Sequence, residues 1–428
     1  MNSLQDYKST GVDWIGNIPT SWNLLRGRFL FESKKEINRD LQCQNLLSLT
    51  LFGVLNKDYE ATDGLRPENY NSYQIFQKDD LVFKMIDLEN IKTSRVGIVH
   101  EEGIMSPVYI RHEPIKNKID PRFAYWFYFD LYKKEIYNSI GSGVRSSLTS
   151  SDLLELELPV PPLEEQNRIS RYLDKKTNQI DSLISKIEKK IELLKEQRTS
   201  LINKFVIKGL DPNVKMKESH VEWIGKLPEH WNHLRLKFVL KGREERSETG
   251  SEELLSVTID PGVLKRRDFL GNDDEHISRA EDLSGYKIVK KDDLVNNIMK
   301  MGFSCLGVSP YDGIVSPAYS VFKIDKDLVL PSYLHFLLRT PTYIAEYRKR
   351  SKGIQVSRMR LYDDFFVDIS IPVPPLEEQK TIVQEISTNR SIQRITFENK
   401  RLELFKEYRQ SLISSVVTGK LRVTEDML

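Results

Sequence analysis

Leu158-Pro159-Val160-Pro161-Pro162-Leu163-Glu164-Glu165-Gln166 returns almost unchanged as Ile371-Pro372-Val373-Pro374-Pro375-Leu376-Glu377-Glu378-Gln379, 213 residues later in a chain of 428. That offset is half the chain, so the sequence reads as two similar halves. In each copy the double proline ends a strand and opens a helix, since proline lacks the amide a ladder needs and its fixed φ suits a first helical turn. Glu164-Glu165 and Glu377-Glu378 then fall in that turn, where carboxylates favour the positive end of the helix dipole.

Behind the first copy, positions 173, 177, 180, 184, 187, 191, 194, 198, 201 and 205 are mostly Leu, Ile and Phe, with Thr177 and Arg198 as exceptions. Steps alternating between four and three make the seam of a coiled coil. Behind the second copy, Ile395, Leu402, Phe405, Arg409, Leu412 and Val416 repeat the later part of that seam, with Ser391 and Glu398 interrupting its start. Each run predicts a helix of roughly 40 residues, or about 60 Å. A pseudo-two-fold relation between the halves makes the two helices antiparallel and returns the C-terminus to the start of the first half. The expected shape is a dumbbell. Leu193, Ile202 and Val206, matched by Leu404, Ile413 and Val417, lie off the seam; they suit either a subunit interface or partial exposure.

A second duplicated landmark opens each half: Val12-Asp13-Trp14-Ile15-Gly16-Asn17-Ile18-Pro19-Thr20-Ser21-Trp22 and Val221-Glu222-Trp223-Ile224-Gly225-Lys226-Leu227-Pro228-Glu229-His230-Trp231. Gly and Pro between two indoles predict a tight loop that clamps an apolar surface, a packing clasp rather than a ligand site. Leu46–Leu55 and Leu254–Leu264 read as strand-like pieces. Asp79-Asp80-Leu81-Val82 and Asp292-Asp293-Leu294-Val295 read as turns entering buried strands. Pro121 and Pro331 open aromatic-rich helices, and Leu154–Leu158 and Val367–Ile371 alternate like half-buried strands. The expected fold class is therefore α/β (mixed α+β), two pseudo-symmetric globular domains separated by two long antiparallel coiled-coil helices.

Composition sets few limits. The net charge of +2 neither requires nor excludes nucleic acid. Cys43 and Cys305 do not make a disulfide framework, which fits a reducing cytoplasm. The polar first twenty residues do not read as a signal peptide, and no run is apolar enough to span a membrane.

Catalytic patterns are not found. Val160-Pro161-Pro162-Leu163 and its repeat lack the polar and aromatic members of an amino-methyltransferase motif. Gly141-Ser142-Gly143 does not continue into a dinucleotide loop, and no P-loop occurs. His230 and His233 lack metal-spaced partners, so no metal is expected. Glu188-Lys189-Lys190 reads as a solvated coiled-coil face.

Basic clusters do occur at matched places. Arg348, Lys349, Arg350, Lys352, Arg358 and Arg360 fall together with Gln355 around Gly353, against the single carboxylate Glu346. The corresponding stretch of the first half holds Arg145, Ser146, Ser147 and Thr149. Lys84, Lys92 and Arg95, with Lys300 in the second half, lie in matched strand–loop regions. These side chains grip phosphates or read base edges, which makes them DNA-contact candidates.

The doubled Trp-Ile-Gly-x-(Ile/Leu)-Pro-x-x-Trp opening, the doubled Pro-Pro-Leu-Glu-Glu-Gln junction and the long helices together resemble the specificity subunits of type I restriction–modification enzymes. The resemblance covers the whole chain. It implies target recognition domains at 1–162 and 209–375, spacer helices at 163–208 and 376–420, and a tail at 421–428. It implies a non-catalytic subunit that binds double-stranded DNA at two dissimilar half-sites and holds two methyltransferase subunits and restriction subunits. S-adenosylmethionine, ATP and magnesium would then belong to those partners, with no cofactor on this chain. The paired helices would act as a ruler for the unread gap. A coiled-coil scaffold that does not touch DNA is the alternative.

Overall fold

The computed structural model describes residues 6–57, 70–88, 93–141, 147–270, 282–353 and 359–428 and divides into two units, 1–189 with 399–428, and 190–398. Both are built from the same parts. In the first, Tyr7–Ser9 pairs with Asn17–Pro19 around a turn in which Gly16 takes φ +73°. Only a residue without Cβ adopts that conformation freely. Trp22 follows, fully buried, and Asn23–Arg26 pairs antiparallel with Glu157–Val160, so that the strand after the clasp meets the strand of the proline junction. The second unit repeats this with Asn232–Arg235 against Ser370–Val373.

Between these closing strands lies a four-stranded sheet in the order Phe31–Glu32, Ile110–Pro114, Leu81–Phe83, Val96–Ile98, repeated as Leu240–Gly242, Tyr319–Ile324, Leu294–Asn297, Leu306–Val308. Among the described residues every strand ladder is antiparallel. A hairpin (Leu47–Thr50 with Gly53–Asn56; Leu255–Val257 with Val263–Lys265) covers a small second core in each unit. The main cores gather the clasp, the sheet and the helices Pro121–Lys133 and Pro331–Leu338, both opened by proline as expected. Asp79 and Asp292 both take φ +73° at the turns entering buried strands.

The alternation at Leu154–Leu158 does not make a strand throughout. Ser150–Glu155 is helical, because Thr149 and Asp152 form a reciprocal capping box, and the strand begins only at Glu157. Asp363–Val367 is likewise helical before Ser370–Val373.

The first long helix is continuous over Leu163–Lys208, 46 residues or about 69 Å. Its seam is real: Leu173, Thr177, Ile180, Ile187 and Ile191 are buried. The second run is two helices, Leu376–Thr388 and Ser391–Val417. The interruption falls where the seam was irregular, and Asn389 Oδ1 accepts from Ser391 N at 2.9 Å to start the new helix. The long helices run antiparallel within each unit. Arg409 pairs with Asp181 and Lys406 with Glu188 in the first, and Lys190 with buried Glu398 in the second.

Three of the six off-seam residues that suit a subunit interface or partial exposure are instead buried within this chain. Val206 belongs to the core of the second unit, and Ile413 and Val417 to that of the first; Ile202 packs partly against the second core. Only Leu193 and Leu404 stay exposed, each by a little over half. The cause is the clasp. Each long helix ends in a glycine with positive φ, Gly209 or Gly419, set against Trp231 and Pro228 or against Trp22 and Pro19. The last helical turn must therefore point its apolar residues into that unit's core. The C-terminal residues also stay with the first unit, where Val423 is buried and Tyr7 donates to the Gly419 carbonyl.

Candidate nucleic-acid interface

The matched loops singled out by charge are neighbours in space. In the first unit the turn after Leu81–Phe83 meets the segment before Thr149, with Leu148 N donating to Met85 O at 3.0 Å. In the second, Leu361 N donates to Ile298 O at 3.0 Å. Both residues of this bond shift by the same 213 positions between units. Each unit thus presents one surface made of two loops, built on the ends of its four-stranded sheet.

The side chains on these surfaces divide by what they touch. Lys84 is half-buried and donates to Thr93 Oγ1. Arg95 is not a surface contact: it is 2 % exposed, and its guanidinium donates to the carbonyls of Lys84, Ile86 and Asp87. It holds the 84–87 turn from inside, and burial pulls its pKa down. Thr149 spends its hydroxyl on the capping box, while Ser147 is exposed.

In the second unit, Arg348 donates to Gly302 O at 2.7 Å, which ties the two loops together. Lys349 pairs with Glu222 at 2.9 Å. Arg350 pairs with buried Glu346 and lies 5.1 Å over the Trp223 ring. Lys352 and Arg360 form a two-way backbone bridge, and Lys352 Nζ sits 4.2 Å over Phe365. Of the basic residues named from sequence, Lys300 and Arg360 are exposed with no side-chain partner within the described residues. Lys92, Arg145, Ser146, Gln355 and Arg358 lie outside the described residues.

One cavity on the first surface mixes polar and apolar walls, and of its lining only Thr149 carried a sequence signal. It holds about 250 Å³ and is lined by Ser33, Lys35, Gln74, Met85, Thr149 and Ser150 among others. Ser150 Oγ lies 2.7 Å from Ser33 Oγ and 3.0 Å from Nε2 of buried His112. These residues are 38 to 117 positions apart, so no local pattern announces them. His230, beside Trp231, is half exposed and reaches Glu378 at 2.7 Å. Among the described residues no cluster of His, Cys, Asp and Glu is arranged to hold a metal, and no helix is long and apolar enough to cross a membrane.

The family model for the type I restriction modification DNA specificity domain matches residues 56–193. The MjaX type I restriction enzyme specificity subunit of Methanocaldococcus jannaschii is 24% identical, over 98% of this chain and 99% of its own. Over nearly its whole length this chain is similar to a type I restriction enzyme specificity subunit. A second relative, the MjaVIII specificity subunit of the same organism, is 25% identical over 76% of this chain and 75% of its own. The fold agrees. A chain from a structure on complex assembly and conformational transition of the type I R-M system superposes with a TM-score of 0.67 at 12% identity, covering 94% of this chain and 99% of that one. The HsdS subunit from Thermoanaerobacter tengcongensis gives 0.52 at 14% identity, covering 94% and 98%.

Proposed function

We propose that this chain is the DNA sequence-recognition subunit of a type I restriction–modification complex. Each unit reads one half-site of a bipartite, asymmetric target through its pair of loops. The observation that carries this reading is the repeated loop pair: one hydrogen bond, in the same place in both units, frames surfaces whose side chains differ. A common frame with unlike side chains is what two unlike half-sites require. Lys300 and Arg360, with Arg145 and Arg358 from the same basic stretches of the sequence, supply phosphate and base contacts.

The chain itself carries out no chemistry. Two methyltransferase subunits bring S-adenosylmethionine, and restriction subunits bring ATP and magnesium. Leu193 and Leu404, exposed on the long helices, are the proposed contacts for those partners, and the complex works in the cytoplasm.

Methylome sequencing of a host that expresses the chain with its partner subunits tests the reading. An interrupted motif with two different halves is expected. A continuous motif, or no footprint on any DNA in the presence of partners, overturns it; the second result favours a coiled-coil scaffold. Arg145→Ala and Arg358→Ala are expected to weaken binding to that motif more than to random DNA.

A further inference from the structure

The internal repeat exposes one place where the units differ in charge. Both have a cavity between a long helix, the proline-opened helix and the hairpin. In the first unit it is lined by three basic residues (Lys78, Arg122, Arg409) and three acidic ones (Asp79, Asp174, Asp181). Arg409 there is neutralised: its Nε and Nη2 donate to the Asp181 carboxylate at 2.8 and 3.0 Å, and it lies 5.6 Å over the Phe129 ring.

The counterpart of Arg409 in the second unit is Arg198, and the counterpart of Phe129 is Arg339. Where Asp181 stands, the two offsets of the repeat put Ile392 or Arg394. Arg198 has no carboxylate partner among the described residues, and its Nε is buried without any hydrogen-bond partner. Arg339 is held by the carbonyls of Leu306 and Ile259 at 3.0 and 2.6 Å. Its one acidic neighbour, Asp260 at 3.4 Å, has a side chain 91% exposed. Both arginines line a cavity of about 420 Å³. The helix Pro341–Arg350 begins at its wall with no side-chain cap. Pro341 has no amide and Ile344 already donates to Thr340, which leaves the amides of Thr342 and Tyr343 as open donors. His335, whose pKa burial and Arg339 bring down to about 4, stays neutral and adds no charge.

Two guanidinium groups sharing a partly enclosed space repel each other, and an anion between them removes that cost. We propose that this cavity of the second unit binds a phosphate group, with Arg198 and Arg339 as its ligands. The phosphate is either a free anion or a backbone phosphate of bound DNA. The second source rests on the DNA-recognition reading; the first does not.

The test titrates inorganic phosphate into the full chain at constant ionic strength, with chloride as control, and follows heat and Tm. One site is expected, weakened at least tenfold in Arg198→Gln and several-fold in Arg198→Lys, because a lysine keeps the charge and loses the fork. The lysine variant keeps the test open should the glutamine variant not fold. A second arm measures the salt dependence of duplex binding. If DNA supplies the phosphate, Arg198→Gln lowers the slope by about one and inorganic phosphate competes with duplex. If the anion is free, it binds with the slope unchanged. No phosphate binding by the unaltered chain, together with an unchanged slope in the variants, overturns the proposal. Loss of duplex binding alone, with phosphate binding retained, would count against DNA recognition and leave the site standing.

Discussion

Trp22 Nε1 donates to Glu165 Oε2 at 3.2 Å across 143 positions of sequence, and Trp231 Nε1 donates to Glu378 Oε2 at 2.9 Å in the same way. The two duplicated motifs are thus two halves of one joint. The glutamine beside each glutamate completes it. Gln166 accepts from Asp120 N and donates to Pro161 O; Gln379 accepts from Leu330 N and donates to Pro374 O. Each joint locks the clasp, the junction strand and the proline-opened helix together, and so fixes where the long helix leaves the unit.

Removing the acceptor should therefore be felt as stability. Glu165→Ala strands a buried indole N–H, at a cost of about 1–3 kcal/mol, or several degrees of Tm for a unit this size. Glu165→Gln keeps an acceptor and is expected to cost much less. Thermal denaturation of the two variants checks this; equal losses would mean that the bond itself contributes little.

Gly419→Ala should cost more than Gly225→Ala. Both glycines have positive φ, a penalty of about 1 kcal/mol for alanine. A Cβ on Gly225 meets nothing within 4 Å, whereas one on Gly419 would lie 2.4 Å from Pro19 Cδ and 3.1 Å from Trp22. Overpacking adds about 1–3 kcal/mol. Chemical denaturation of both variants, compared at the same pH, reads the difference.

The stability of the first unit should depend on His112. Packed against Phe31 and Phe83, its imidazole is pushed by burial from 6.5 to about 4. Above pH 6.5 the ring is neutral in both folded and unfolded chains, and no stability is lost through it. As pH falls from 6.5 toward 4 the unfolded chain takes the proton first, so up to about 3 kcal/mol is lost in that window. The second unit has Phe322 in the same register: Leu294 faces Phe322 as Leu81 faces His112. His112→Phe should flatten the pH dependence of Tm relative to the unaltered chain. Comparing the two chains cancels other titrating groups, including Asp80, which burial raises to about 6 and which acts in the opposite sense.

On the proposed DNA surface, Lys300→Ala and Arg360→Ala should each reduce the salt slope of duplex binding by about one, with little change in Tm. Lys349→Ala should do less, since that ammonium already faces Glu222. Arg95→Ala should lower Tm and DNA affinity together, because three loop carbonyls lose their donor. Fluorescence anisotropy at several salt concentrations, with a melt on each variant, separates these outcomes.

Much of this was legible in the chain. Duplication, the proline–helix junctions and the heptad seam are local or periodic signals, and the antiparallel helices followed from repeat symmetry. The basic loops stood out by charge. What charge could not show was commitment: Arg95 and Arg350 look the same in sequence as Arg360, yet two are held by carbonyls or a buried carboxylate and one is open.

By itself, the sequence determined that there are two copies of one scaffold, each joined to a long helix, because strands, turns and heptads are written in residues a few positions apart. The tertiary structure alone decided which motif glutamate meets which indole, that Val206, Ile413 and Val417 face inward, and that Arg198 lacks the acid given to Arg409. Those outcomes depend on contacts between residues up to hundreds of positions apart. No local preference encodes such contacts; they follow from how the helix ends dock against the two clasps.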